Sequence, residues 1–176
     1  MSVKGTVIAT LVVGADGSTS RDGSSSGLST PADRQRFLAL HRSATAIIIG
    51  RNTAIRDSYS ETHVPVYVLS REYSESLGPN FRHVLVPDTS SLIHQVNEIA
   101  TSHSTPIVVE AGPRLLMPLI ECGVIDRLEL SIVPCTPQEN QIDVEALLQN
   151  FTIESDLLLD DTRLLECRYK RDASNS

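Results

Sequence analysis

A chain of 176 residues, 40% apolar and 21% charged, fits one globular domain with a sizeable core and excludes a disordered or fibrous chain. A formal net charge of −7 argues against a general nucleic-acid binder, which needs surplus Lys and Arg, although one or two local arginines suffice for a phosphorylated cofactor. The apolar runs are strand-sized, so no membrane span is expected. Met-Ser-Val-Lys enters a strand-like segment without the apolar core and cleavage site of a signal peptide, which predicts an intracellular, cytoplasmic protein.

In chain order, residues 6–13 form a continuous β-branched run that predicts the first strand. Asp16-Gly17 follows, by default a simple turn, and otherwise a carboxylate projecting over a strand-end crevice. A serine-rich loop over 18–29 leads to Thr30-Pro31-Ala32-Asp33, a helix start with an N-cap Thr, Pro in the first turn and an acid near the positive end. Phe37, Leu38 and Leu40 are placed so that one face of that helix can bury them. Short apolar runs at 46–49, 65–69, 84–86 and 106–109 suit strands covered on both faces. Between them, Leu92, Ile93, Val96, Ile99 and Ala100 mark an amphipathic helix over 88–102. Leu115, Leu116, Leu119 and Ile120 mark another over 112–123, closed by Gly123. Residues 128–134 read as a strand, and 151–159 with 162–170 read as an antiparallel hairpin around Asp160-Asp161. The pattern is α/β: a three-layer, mostly parallel sheet with helices on both faces and an antiparallel C-terminal hairpin. Residues 1–171 are expected to form a single domain, and 172–176 a frayed tail.

Ligands of such sheets bind beyond the carboxyl ends of the strands. Three strand ends carry suitable chemistry there. Ala46-Ile47-Ile48-Ile49 runs into Gly50-Arg51-Asn52-Thr53, in which Gly permits close approach of a phosphate, Arg brings charge and Thr a hydroxyl. Val66-Tyr67-Val68-Leu69 runs into Ser70-Arg71, a pair suited to a phosphate monoester such as the 2′-phosphate that separates NADP from NAD. Pro106-Ile107-Val108-Val109 runs into Glu110-Ala111-Gly112-Pro113-Arg114, which adds a partly solvated carboxylate for substrate contact or proton transfer. Alone, the first reads as a plain strand-to-helix turn, a Ser-Arg pair is far more often surface decoration, and Glu110 could simply cap the following helix; their coincidence is what points to a site. Walker A and Gly-x-Gly-x-x-Gly patterns are absent. The five histidines do not cluster, and Cys122, Cys135 and Cys167 are too widely spaced for a zinc site, so free thiols and no metal are expected.

The chain resembles the reductase domain of the riboflavin-biosynthesis deaminase–reductases and their stand-alone relatives, which share the dihydrofolate reductase fold. The marks are Gly14-Ala15-Asp16-Gly17, Ser29-Thr30-Pro31, the segment ending Gly50-Arg51-Asn52-Thr53, Val109-Glu110-Ala111-Gly112-Pro113, and Gly123-Val124-Ile125-Asp126-Arg127-Leu128. The resemblance implies about eight strands, NADPH as cofactor, a homodimer, and hydride transfer to a phosphoribosylamino-pyrimidine; the alternatives are a dihydrofolate-reductase-like oxidoreductase on a different small substrate and a non-catalytic NADP-binding protein. It places Val13, Gly50, Arg51, Thr53, Asp57, Ser70, Arg71, Gly112, Pro113, Arg114 and Leu115 against the cofactor. Ser26, Ser29, Arg42 and Glu110 fall against the substrate, and Asp16 or Glu110 handles the proton. The sequence departs from the family's pattern where substrate is expected. His41 stands for a substrate arginine, with Arg42 adjacent; Glu61-Thr62-His63-Val64 replaces a second arginine; Gly27-Leu28 stands for a Trp; and no Gly follows Pro134 before Asn140.

Overall fold

The computed structural model describes residues 4–56, 59–72 and 81–171. Runs of Val, Ile and Leu become strands because branched side chains pack well on a pleated surface. Among the described residues there are eight: β1 (Val7–Gly14), β2 (Ala46–Gly50), β3 (Val66–Ser70), β4 (Phe81–Leu85), β5 (Ile107–Glu110), β6 (Arg127–Val133), β7 (Phe151–Leu159) and β8 (Thr162–Tyr169). They form one sheet in the order β4-β3-β2-β5-β1-β6-β8-β7. The first six are parallel; β8 runs antiparallel to both β6 and β7. Asp160 and Asp161 both adopt left-handed φ, 47° and 62°, which closes the expected hairpin in two residues.

Among the described residues five α-helices connect the strands: α1 (Pro31–Ser43), α2 (Arg51–Arg56), α3 (Thr89–Ser102), α4 (Pro113–Glu121) and α5 (Val144–Leu148). Alternation along the strands divides the core. Ala46, Ile48, Ile107 and Val109 face Val96, Ala100, Leu116 and Leu119 of α3 and α4. Ile47, Ile49, Val66, Val68 and Val108 face Ala44, Ala54 and Tyr59 on the opposite side. Thr30 caps α1, its hydroxyl accepting from Asp33 N–H, and Asp88 caps α3 by accepting from Ser91 N–H at 2.7 Å. Gly123, at φ 66°, ends α4 as its position predicts.

Two expectations need correction. β4 begins at Phe81 rather than at residue 84 and ends at Leu85. More instructive is α1, whose face was expected to be apolar. Leu38 is exposed, Phe37 and Leu40 are only half-buried, and the buried residues of the helix are Ala32 and Asp33. The reason lies across the interface, where β6 presents Glu129 and Ser131 to the helix. Ser131 Oγ donates to Asp33 Oδ1 at 2.6 Å, and Arg36 donates to Ser131 Oγ at 2.7 Å and to Leu165 O at 3.1 Å. Arg36 also lies 3.5 Å from the Glu129 carboxylate, which Arg127 approaches at 3.0 Å. Burial pushes the Glu129 carboxyl up and the Arg36 guanidinium down, each partly offset by the other's charge. A helix facing polar strand residues docks through a polar network, in which Glu129 Oε2 and Arg127 Nε make no hydrogen bond, and not through a leucine stripe.

Candidate active site

The carboxyl ends of β2, β3 and β5 open into a cleft of about 1500 Å³. Gly50, Arg51 and Thr53 line it from the end of β2, Ser70 and Arg71 from β3, and Glu110, Gly112, Pro113, Arg114 and Leu115 from β5 and the start of α4. Ser26 and Ser29 border the opposite wall. A Cβ added to Gly50 would meet Leu115 Cδ1 at 3.2 Å, so the glycine lets two strand-end loops close on each other. A Cβ on Gly112 would meet nothing within 4 Å, and no side chain caps the first turn of α4 there. The cleft is locally cationic in an acidic chain: among the described residues, Arg34, Arg51, Arg56, Arg71 and Arg114 line it against Asp33, Glu72 and Glu110. Asp33 is already bound by Ser29 and Ser131.

Glu110, 9% exposed at the last position of β5, is a buried carboxylate of this cleft, as is Asp33 at 7% on the facing helix α1. Tyr59 donates its hydroxyl to Glu110 Oε2 at 2.6 Å. His41 Nε2 lies in close contact with Oε1, outside hydrogen-bond alignment. The rings continue outward: Phe37 to His41 at 4.7 Å, His41 to Tyr59 at 5.8 Å, and Tyr59 to Phe81 at 6.2 Å between centroids. Tyr59 holds a left-handed φ of 47°, which costs a bulky residue about 1 kcal/mol and is maintained by this anchorage. Neither Tyr59 nor His41 stood out in the sequence as a partner of Glu110. No spacing rule links three residues drawn from a helix end, a loop and a strand end.

Other expected site residues lie elsewhere. Val13 is wholly buried in the core, while Thr10, Leu11 and Val12 border the cleft. Arg42 is exposed on α1 and does not line the cleft, because one helical step of 100° turns it away from the face that carries His41. Asp57 lies outside the described residues. Asp16 does not line the cleft either, and its carboxylate is engaged in joining loops. It accepts from Ser18 N–H and hydroxyl, from Gln138 N–H at 2.9 Å and from the Gln141 amide. Partial burial raises its carboxyl, but these hydrogen bonds outweigh that and leave it below the usual range.

Glu139 repeats the device in reverse. It accepts from Gly23 N–H, Asp22 N–H and the Ser20 hydroxyl, chiefly the first of which holds its carboxyl low. The segment after Pro134, which lacks glycine, still makes left-handed turns: Gln138 and Asn140 adopt φ of 62° and 48°. Among the described residues there is no His/Cys/Asp/Glu group able to hold a metal ion and no helix long and apolar enough to cross a membrane.

Fold and cleft together define a dihydrofolate-reductase-like α/β protein. The dihydrofolate reductase of Enterococcus faecalis, in complex with NADP(H), superimposes with a TM-score of 0.71 at 13% identity, over 96% of this chain and 98% of that one. A pyrimidine reductase-like protein from Corynebacterium diphtheriae gives 0.71 at 16% identity, over 96% and 93%. A deaminase/5-amino-6-(5-phosphoribosylamino)uracil reductase from Thermotoga maritima gives 0.66 at 13% identity over 95% of this chain, which spans only 57% of that enzyme's length. No curated protein matches the sequence. The RibD C-terminal domain model matches residues 5–136, and the chain belongs to that family. Family membership and reductase neighbours support an oxidoreductase.

Proposed function

We propose that this protein is an NADPH-dependent reductase that acts on a small heterocyclic, ribosylamino-type substrate, with Glu110 as the residue that holds the reacting proton. The observation that carries the reading is the pairing of a buried carboxylate with a cationic strand-end cleft in a RibD C-terminal domain chain. The residues present suit a dinucleotide. Arg51, Arg114 and the N-terminus of α4, left uncapped by any side chain at Gly112, meet the needs of a diphosphate, and Ser70 with Arg71 those of a 2′-phosphate. When bound, such a cofactor supplies the hydride chemistry.

The protein's own part is positioning and electrostatics. The open Gly112 face admits the ligand, and the arginines neutralise its phosphates. The Ser20, Ser24, Ser26 and Ser29 wall offers hydroxyl partners to a polyhydroxylated substrate. Glu110 is favoured over Asp16 for the proton because Glu110 borders the cleft, whereas Asp16 is saturated by loop contacts. Tyr59 and His41 hold the Glu110 carboxylate in place.

A second reading has its own support. His41 replaces a family arginine and faces Glu110, while Arg42 stands outside the cleft; both favour a reductase of this fold that uses a different small substrate. The discriminating experiment follows NADPH oxidation with 5-amino-6-(5-phosphoribosylamino)uracil and, separately, with dihydrofolate. Turnover of the first alone supports the riboflavin-type reading; cofactor binding without turnover of either favours the second.

We also propose a homodimer. Ile153, Leu157, Leu158 and Leu159 are exposed on β7, the last strand of the sheet, and supply the apolar area that such a contact needs.

A further inference from the structure

His83 is one of five histidines scattered along the sequence, yet β4 delivers it to the proposed cofactor cleft from behind. It lies opposite Val68 in the β3–β4 register, so its side chain shares the face of the sheet used by Ser70 two residues on. Its Nε2 lies 2.6 Å from Ser70 Oγ. Ser70 is 6% exposed and borders the cleft with Arg71, while His83 backs it.

The proton count at this contact is informative. The Ser70 hydroxyl has one proton and also contacts the Glu72 carbonyl oxygen, which only accepts. Both contacts hold together only when Ser70 donates to Glu72 and His83 donates from Nε2 to Ser70 Oγ. A phosphate monoester beside Ser70 is a stronger acceptor than a carbonyl, so the hydroxyl turns its proton onto the phosphate. The imidazole N–H keeps Oγ fixed while this happens, and Arg71 supplies the charge next to it.

We infer that His83 is a positioning residue for cofactor choice: it orients the Ser70 hydroxyl toward a 2′-phosphate and so favours a 2′-phosphorylated dinucleotide over its unphosphorylated counterpart. This rests on the NADPH reading given above.

The test uses two fragments that differ only in that phosphate. Adenosine 2′,5′-bisphosphate and adenosine 5′-monophosphate are titrated calorimetrically into the wild type, H83L and H83Q. The wild type is expected to prefer the bisphosphate. H83L should lose about tenfold in bisphosphate affinity, the size expected for one hydrogen bond to a charged group, with monophosphate affinity unchanged. H83Q, which keeps an N–H donor at similar reach, should recover much of that loss. Wild-type preference retained in full by H83L, or equal weakening of both fragments, overturns the role of His83 alone. A wild type that does not distinguish the fragments overturns the NADPH reading and this inference with it.

Discussion

His41 Nε2, from the last turn of α1, abuts Glu110 Oε1 at the tip of β5, and the same carboxylate accepts a 2.6 Å hydrogen bond from Tyr59. A helix from one face of the sheet and the loop after α2 thus converge on a single buried acid beside the cleft. That convergence separates Glu110 from every other carboxylate near the strand ends. It also leads to a direct comparison of Glu110 with Asp16.

Glu110→Gln keeps the shape and the Tyr59 contact but removes the ionisable oxygen. It is expected to lower kcat by at least about 100-fold, the usual contribution of a positioned acid or base. Asp16→Asn should change kcat by far less and show itself as a lower melting temperature, because Asp16 joins loops. Steady-state kinetics with thermal melts on both variants separate the roles, and a larger kcat loss in Asp16→Asn would reverse the assignment.

His41→Leu puts an apolar side chain where the imidazole now faces the buried Glu110 Oε1. His41→Leu is expected to destabilise the fold by about 1–3 kcal/mol, and Tyr59→Phe by a comparable amount. Urea unfolding gives both numbers. The double variant should cost less than the sum of the singles, since both partners serve one group.

The network beneath α1 makes a stronger stability prediction. Arg36→Met leaves Glu129 with Arg127 as its one remaining cation among the described residues and withdraws a donor from Ser131, which should cost about 2–3 kcal/mol. Leu38→Ala on the same helix should cost little, because Leu38 is exposed. Paired urea titrations check the contrast; similar losses would restore the apolar-face picture of α1.

Asp16 and Glu139 both have carboxyls held below their ordinary values of 3.8 and 4.5. For a depressed carboxyl, the stabilisation is present above the unfolded pKa and disappears as pH falls through the folded one. The junction between residues 15–24 and 134–142 should therefore stay closed at pH 5 and loosen below about pH 4. Amide-exchange protection of Ser18, Gly23 and Gln138 reports this, and Asp16→Asn with Glu139→Gln should remove the pH dependence.

Thiol chemistry offers a further check. Burial pushes the Cys167 thiol up to about 11, and the residue is fully enclosed, whereas Cys122 is exposed. Iodoacetamide should label Cys122 in the native protein and reach Cys167 only on unfolding.

Much of the architecture was legible because short-range physics sets it. β-branched runs made strands, Thr30 and Gly123 bounded helices, and Asp160-Asp161 closed a hairpin. Glu110 was legible for a similar reason: a carboxylate at the end of an apolar strand has few places to go. His41, Tyr59 and His83 were not, because their roles depend on which chain segments meet in space, and no local pattern encodes that. The face of α1 misled for the same reason. Its leucines suggest burial, but Glu129 and Ser131 on β6 decide what it packs against.

Selectivity of the cleft for a 2′-phosphorylated nicotinamide cofactor is tested most directly by thermal melting with NADPH and NADH. A ligand at one hundred times its Kd stabilises the native state by about 2.7 kcal/mol, which for a chain of this size raises Tm by roughly 5–10 °C. NADPH is expected to produce a shift of that order and NADH, at the same concentration, a clearly smaller one. Equal shifts would remove the 2′-phosphate site from Ser70 and Arg71, and the absence of any shift with either would contradict the assignment of this cleft to a nicotinamide cofactor.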